Sequence, residues 1–314
     1  MTSPPLERAA GAPIEIALVN NMPESAAEAT VAQFETLLRR SAQGITFRLR
    51  CYALPQSDVA RRPLKEAHEG IEALYARGAD ALIVTGAEPR AEKLSDEPFW
   101  ADLSQLVSWA RHQTSGALWS CLAAHAAVEI LDGVQRRRQK QKISGVYACA
   151  TTPGDWAIQG AATEILVPHS RYNGLDRDDL IINGYNISSW SPAIGVDSFW
   201  RREPSLFLFT QGHPEYSENT LASEFRRDIL RYFKGASATS PQLPENYFSD
   251  SAREEIAGLA PNPGEQEPSC FVEQLDTILK GSPPTADWFG DAERLYFNWL
   301  RMIDAERKQR SPAP

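Results

Sequence analysis

The chain has 314 residues, 42% of them hydrophobic and 23% charged, a balance that builds an ordinary globular core and is long enough for one large domain or two smaller ones. A net charge of −9 argues against a general nucleic-acid binder and against a protein that rides on anionic membranes. Cys51, Cys121, Cys149 and Cys270 lie far apart and the histidines number five, so neither a zinc site nor a disulfide framework is suggested. No apolar run approaches the length of about 18 residues that spans a bilayer, and the N-terminus lacks a signal-peptide core. A reducing cytoplasm is the expected setting, where Cys121 stays a thiol.

Residues 1–13 are rich in Pro and Ala and are expected to be disordered. Ile14–Asn20 reads as a first strand, and Asn21-Met22-Pro23 turns the chain. Glu24–Arg40 carries Val31, Phe34, Leu37 and Leu38 at helical spacing. Ile45–Ala53 alternates like a strand, and Pro63–Arg77 reads as a helix. Ala81–Thr85 is short and fully apolar, as in a buried parallel sheet, and Pro98–His112 is helical. Ala117–Trp119 is another apolar strand, followed by Ser120-Cys121 and an Ala-rich helix to Leu131. Strand and helix thus alternate four times, the pattern of an open α/β sheet with helices on both faces. Ligands bind such sheets beyond the carboxyl ends of the strands, so Asn20, Gly86 and Cys121 should gather at one edge.

Past residue 133 the character changes. Val134–Lys142 reads as a basic loop and Ser144–Ala150 as a strand. Thr163–Val167, Leu180–Asn186, Ala193–Val196 and Leu206–Thr210 are strand-like, and Asn219–Phe233 is a long helix. Residues 235–268 are rich in Pro, Ser, Gly and Glu and read as an irregular connection, before helices at Phe271–Leu279 and Ala292–Ala305. The expected division is a disordered terminus at 1–13, a catalytic α/β domain at 14–234, and an extension at 235–314. The aromatics Trp288, Phe289, Tyr296, Phe297 and Trp299 suggest that this extension packs on the body or on a second subunit.

A cysteine at a sharp strand-to-helix turn stands beside the first free N–H groups of the helix, which stabilise a thiolate and a developing oxyanion. Cys121 holds that position; a buried structural cysteine is the competing reading. A cysteine nucleophile needs a base, and the base an orienting partner. Gly212-His213-Pro214-Glu215 offers both directly after an apolar strand, because the proline forces a bend that returns the carboxylate of Glu215 to the imidazole of His213. His125 lies one turn beyond Cys121, on the helix face that points beneath the nucleophile, which favours a buried hydrogen-bonded role over that of a base. The run Arg136-Arg137-Arg138-Gln139-Lys140-Gln141-Lys142 is either a solvated loop or the local positive charge that an acidic protein needs for an anionic cofactor. Ser170 and Arg171 follow a strand and can meet a polar substrate, and one of Arg226 and Arg227 should point back to the site to hold a carboxylate.

At these residues the chain resembles the homoserine O-acyltransferases related to class I glutamine amidotransferases, a family usually called homoserine O-succinyltransferase. The matching pieces are Leu18-Val19-Asn20-Asn21-Met22-Pro23, Thr85-Gly86-Ala87, Trp109, the Cys121 turn, Lys142-Ile143-Ser144-Gly145-Val146, Pro168-His169-Ser170-Arg171, Gly212–Tyr216, Arg227-Asp228 and Phe297-Asn298-Trp299-Leu300. They run in family order over about residues 14–300. The resemblance implies a flavodoxin-like, mostly parallel sheet, Cys121 as acyl-carrying nucleophile, His213 as base and Glu215 as its partner. It also implies that Lys142, Ser170 and Arg227 bind substrate, that an acyl-CoA is a co-substrate with no permanently bound cofactor or metal, and that the chain forms a homodimer. The chain departs from the family at Leu-Ala-Ala-His after Cys121, where members often carry Trp and then Gln, and at Arg90. The residue aligned with Arg90 bears on acyl choice, Glu going with acetyl and Gly with succinyl. Arg90 can pair with the free carboxylate of a succinyl group, whereas Glu would repel it, so succinyl-CoA is the expected donor.

The expected function is therefore transfer of succinyl to the hydroxyl of L-homoserine through a thioester on Cys121, on the route to methionine. Four rivals stay open at this point: an acetyl donor, a serine-type acceptor, a glutamine amidotransferase-like cysteine hydrolase, and a non-catalytic binding protein on the same scaffold.

Overall fold

The computed structural model describes residues 12–57, 68–237, 239–259 and 268–310. Residues 1–11 of the terminus expected to be disordered, 63–67 of the helix expected at Pro63–Arg77, and 238 and 260–267 of the expected irregular connection lie outside these segments.

Six strands form a parallel platform. They are β1 (Ile14–Val19), β2 (Phe47–Ala53), β3 (Glu69–Gly70), β4 (Ala81–Val84), β5 (Gly116–Ser120) and β10 (Ser205–Thr210). Four more, β6 (Arg137–Thr151), β7 (Glu164–Gly174), β8 (Asn186–Ser191) and β9 (Gly195–Glu203), extend it antiparallel. The order across the sheet is β3-β2-β1-β4-β5-β10-β9-β8-β6-β7. The expected open, mostly parallel sheet with helices on both faces is therefore what the chain forms.

Every residue of β4, β5 and β10 is buried, which explains why they read as continuous apolar runs rather than alternating ones. Side chains of one strand still divide between the two faces. Ile14, Ile16, Leu18, Ile83, Leu118 and Leu208 pack under α1 (Glu24–Ser41), α6 (Thr220–Phe233), α8 (Pro268–Gly281) and α9 (Phe289–Arg310). Ala17, Val19, Leu82, Val84, Trp119, Phe207 and Phe209 pack under α2 (Ile71–Arg77), α3 (Trp100–Gln113) and α4 (Leu122–Asp132). The C-terminal aromatics Trp288, Tyr296 and Trp299 share the first core with Phe34 of α1. No helix among the described residues is long and apolar enough to cross a membrane.

Several expected elements fall elsewhere. The basic stretch at Val134–Lys142 is not a loop: from Arg137 it is the start of β6, paired to β7 through Arg137↔Gly174 and Arg138↔Asn173 before a register shift. Ser170 and Arg171, expected to follow a strand, are with Pro168 likewise inside β7. That strand is the sheet edge, where a residue without an N–H costs no ladder bond. Leu180–Asn186 is not a strand; Asp176 caps α5 (Arg177–Ile182) by accepting from the N–H groups of Asp178 and Asp179, and β8 starts only at Asn186. The strand expected at Ala193–Val196 begins two residues later and continues to Glu203. Glu69–Gly70 pairs with β2 instead of continuing a helix. Within the expected irregular connection, Ser249 caps α7 (Asp250–Gly258).

Candidate active site

The carboxyl ends of β1, β4, β5 and β10 meet at one edge. The N–H of Asn21 donates to Thr85 Oγ1 (2.8 Å), and a β-carbon on Gly86 would stand 3.3 Å from the nitrogen of Leu122. The N–H of Cys121 donates to Thr210 O (2.7 Å), locking the turn after β5 to the end of β10. Asn20, Gly86 and Cys121 thus gather as the strand pattern requires.

Cys121 joins β5 to α4 at φ 53° and ψ −113°, a backbone conformation a non-glycine residue rarely adopts and one that costs about 1–3 kcal/mol. The strain lifts the sulfur onto the edge of the sheet and aims the first N–H groups of α4 beside it. Ala124 and His125 donate back to the Cys121 carbonyl (3.0 and 3.2 Å). Among the described residues no hydrogen bond takes up the N–H of Leu122 or Ala123, so both remain for an oxyanion.

His213 and Glu215 follow β10. The N–H of His213 donates to Pro168 O on β7 (2.8 Å), which anchors the turn to the antiparallel half of the sheet. Its Nδ1 lies 2.9 Å from Glu215 Oε1, and its ring stacks on Tyr216 with centroids 4.2 Å apart. The charge of the Cys121 side chain also acts on the imidazole. Burial alone would favour the neutral ring, but the negative charges of Cys121 and Glu215 outweigh it and raise the His213 pKa well above the usual histidine value. The arrangement can serve as a nucleophile, a base and a carboxylate that orients the base.

The other expected residues divide. Lys142 Nζ lies 2.7 Å from Asp228 Oδ2, and Arg227 contacts the other oxygen of Asp228 through Nε (3.1 Å). Arg227 also faces Glu224 (3.8 Å), which accepts from the hydroxyl of Tyr216 (3.1 Å). A polar chain therefore runs from Arg227 through Glu224 and Tyr216 to the ring of His213. Arg226 turns away to pair with Asp276 of α8. Ser170 is half-buried on β7 opposite Ser144. Arg90 is exposed on the segment after β4, where Glu97 Oε1 accepts the N–H groups of Arg90 and Ala91 (2.6 and 2.7 Å).

Arg171 is a correction. It does not face a substrate beside Ser170 but points to the opposite side of β7, where its guanidinium donates to Asn173 O (2.7 Å), Ile194 O (2.6 Å) and His169 Nδ1 (3.2 Å). His169 in turn has Nε2 3.2 Å from Asp197 Oδ1. His125 is buried and donates through Nε2 to Gln211 Oε1 (2.9 Å), which leaves it beneath the nucleophile rather than beside it. Asp197, Gln211, Tyr216 and Glu224 have no role in the reading of the sequence. Only Gly212 and the His-Pro-Glu turn next to them carried a signal. Among the described residues no group of three or more His, Cys, Asp or Glu is arranged to hold a metal ion.

A family model for homoserine O-succinyltransferase matches residues 1–309. The chain is 45% identical over 251 residues to the homoserine O-succinyltransferase of Bradyrhizobium japonicum, covering 77% of each. It is 40% identical over 293 residues to that of Methylorubrum extorquens, covering 92% of this chain and 87% of the relative. With that of Rhodopseudomonas palustris the identity is 38% over 305 residues, covering 96% and 92%. Among solved structures, a glutamine amido transferase from Methylobacillus flagellatus superposes with a TM-score of 0.50 at 14% identity, covering 92% of this chain and 94% of that one, a likeness of fold alone. The chain belongs to the homoserine O-succinyltransferase family of enzymes.

Proposed function

We propose that the chain transfers a succinyl group from succinyl-CoA to the hydroxyl of L-homoserine in two steps, by way of a thioester on Cys121, and so feeds methionine synthesis. The observation that carries this reading is the line Cys121–His213–Glu215 at the unbonded N–H groups of α4. The Cys121 thiolate attacks the thioester carbonyl, the Leu122 and Ala123 N–H groups take the oxyanion, and the bond to CoA sulfur breaks as His213 supplies its proton to the leaving thiolate. Sulfur replaces sulfur, so the acyl-enzyme keeps its group-transfer potential. The homoserine hydroxyl then gives its proton to His213 and attacks the same carbonyl, the new C–O bond forms, and the Cys121 thiolate leaves. Glu215 holds the imidazole in orientation through both steps. Arg227 holds the carboxylate of the amino acid, with Lys142 and Ser170 on the same substrate.

Intact-protein mass spectrometry after mixing with succinyl-CoA, without acceptor, tests this. The wild-type chain should gain one succinyl increment that is absent in Cys121→Ala and disappears on adding homoserine. An acetyl increment from acetyl-CoA in its place keeps the mechanism and changes the donor. No increment with either donor overturns the proposal.

A further inference from the structure

The basic run at Arg136–Lys142 contributes only Lys142 to the chemistry above, and the fold gives the rest of it a direction. Five of its seven residues are cations, in a chain whose net charge is −9. Alternation along an extended segment sends neighbouring side chains to opposite sides. Arg137 goes one way and is neutralised by Asp176 and Asp179 (2.7 Å each). Arg136 and Arg138 go the other way. The Arg136 guanidinium interacts electrostatically with both Cys121 and Arg138, and donates to Glu92 O (3.2 Å). Arg138 lies over the ring of Tyr172, 5.2 Å from its centroid. Among the described residues neither Arg138 nor Lys140 pairs with a carboxylate.

Tyr172 is itself unusual, a large aromatic that is 47% exposed on β7. It shares its side of the strand with Ser170, while His169 and Arg171 are buried on the other side. It lies four residues beyond Pro168, whose carbonyl holds His213, so it stands about 13 Å along the strand from the catalytic turn at about 3.3 Å per residue. An extended pantetheine arm bridges that distance. The track therefore starts at the sulfur of Cys121, passes Arg136 and Ser170, and ends at an exposed aromatic ring with an unpaired cation on one face.

We propose that this outer end of the β6–β7 ribbon is the nucleotide subsite of the acyl-CoA donor: adenine lies on the open face of Tyr172, and Arg138 with Lys140 takes the 3′-phosphate. The proposal rests on the succinyl-CoA reading and names where the far end of that donor docks. A guanidinium suits a phosphate through paired hydrogen bonds, and an aromatic face suits a base whatever its edge.

The test compares kcat/KM for succinyl-CoA with that for S-succinyl-N-acetylcysteamine, which carries the same acyl thioester and no nucleotide. Arg138→Ala and Tyr172→Ala should each cut the preference for succinyl-CoA about tenfold, through KM rather than kcat. Tyr172→Phe should retain most of it. Arg48→Ala, a surface cation on the distant β2, should keep the wild-type preference. With a 3′-dephospho-CoA thioester the Arg138→Ala effect should shrink while the Tyr172→Ala effect persists. Variants that transfer succinyl from both donors with an unchanged preference would place the nucleotide elsewhere and overturn the subsite alone. A wild-type chain that takes succinyl from neither donor would overturn the transferase reading, and the subsite with it.

Discussion

A β-carbon on Gly212 would stand 2.6 Å from Asp197 Oδ1 and 2.8 Å from His169 Nε2, with Val167 Cγ1 at 2.5 Å. The residue before His213 is thus wedged against the buried Asp197–His169–Arg171 group, and through it against β7 and β9. Gly212→Ala cannot be accommodated by the far end of a flexible chain, because all three neighbours are held in the interior. Overpacking of this kind costs about 1–3 kcal/mol. The relief must come partly from His213, which would move off the line to Cys121. The expected result is a folded protein whose melting temperature drops by several degrees and whose kcat falls by about two orders of magnitude, since a small misplacement of a reacting group costs about that much. Differential scanning fluorimetry and initial rates of transfer check the two parts, and wild-type kcat in a folded variant would show that the wedge does not position His213.

Burial pushes the pKa of His125 down to about 3 and that of His169 down to about 4. His125 is faced by Gln211, Arg171 and Arg136, and His169 by Asp197, Arg171 and His213. In the unfolded chain both return to about 6.5. The unfolded state therefore binds more protons below about pH 6.5, and stability falls as pH drops from there toward the folded values. Asp197 enters lower. Burial raises its carboxyl, but the bonds to His169 and Ser189 and the charge of Arg171 hold it below its ordinary value, so its contribution is lost only in stronger acid. His213 has the opposite sign, since a raised folded pKa stabilises at low pH and is lost as pH rises through it. Unfolding free energies from urea titration should fall between about pH 6.5 and pH 5 by about 1.4 kcal/mol per pH unit for each fully engaged buried histidine. His125→Asn should show a shallower acid slope than wild type. An identical slope would mean that His125 is protonated in the folded protein.

The parallel half of the sheet was legible because IEIALV, ALIV and SLFLFT are apolar runs bounded by turn residues, and full burial on two faces demands such runs. Cys121 and His213-Pro214-Glu215 were legible for a related reason: one follows the strand GALWS and the other SLFLFT, at the carboxyl ends where open α/β sheets bind ligands. The antiparallel half was not, because an edge strand tolerates charge and proline, and Arg137, Arg138 and Pro168 look like loop residues until their pairing partners are known. Arg171 misled in a different way. A cation after a strand reads as a surface residue, yet two backbone carbonyls and His169 satisfy its guanidinium in the interior. His169 and Asn173 flank it on β7, but Ile194 comes from the turn between β8 and β9, a contact that no local spacing announces. Asp197 and Gln211 were invisible for the same reason.

Arg90 is the exposed end of a segment fixed by Glu97, which takes both the Arg90 and Ala91 N–H groups on one buried oxygen atom's side chain. The backbone is therefore set, and Arg90 is an exposed residue on it. If it meets the free carboxylate of a succinyl donor, Arg90→Glu turns an attraction into a repulsion. The KM for succinyl-CoA should rise about tenfold or more, with much less effect on acetyl-CoA. Steady-state kinetics with both donors decide the matter, and equal effects on the two would remove Arg90 from acyl selection.

The free cysteines supply an internal comparison for Cys121. Cys270 is exposed, Cys121 is half-buried, and Cys149 is buried with its thiol pushed up, first by burial and then by the charge of Asp197. Accessibility alone would make Cys270 react fastest with iodoacetamide, then Cys121, and leave Cys149 untouched. A His213 that activates the sulfur reverses the first two, because the anion and not the thiol is the nucleophile. Peptide mass spectrometry of the native protein at neutral pH should therefore find Cys121 alkylated ahead of Cys270, with Cys149 unmodified until the fold is opened by denaturant. His213→Ala removes the partner and should drop Cys121 behind Cys270, while the rate at Cys270 stays as it was. Cys121 trailing Cys270 in the wild-type chain would mean that the imidazole does not activate the sulfur in the resting enzyme, and that the acyl-enzyme, if it forms, depends on the bound donor to bring the pair together.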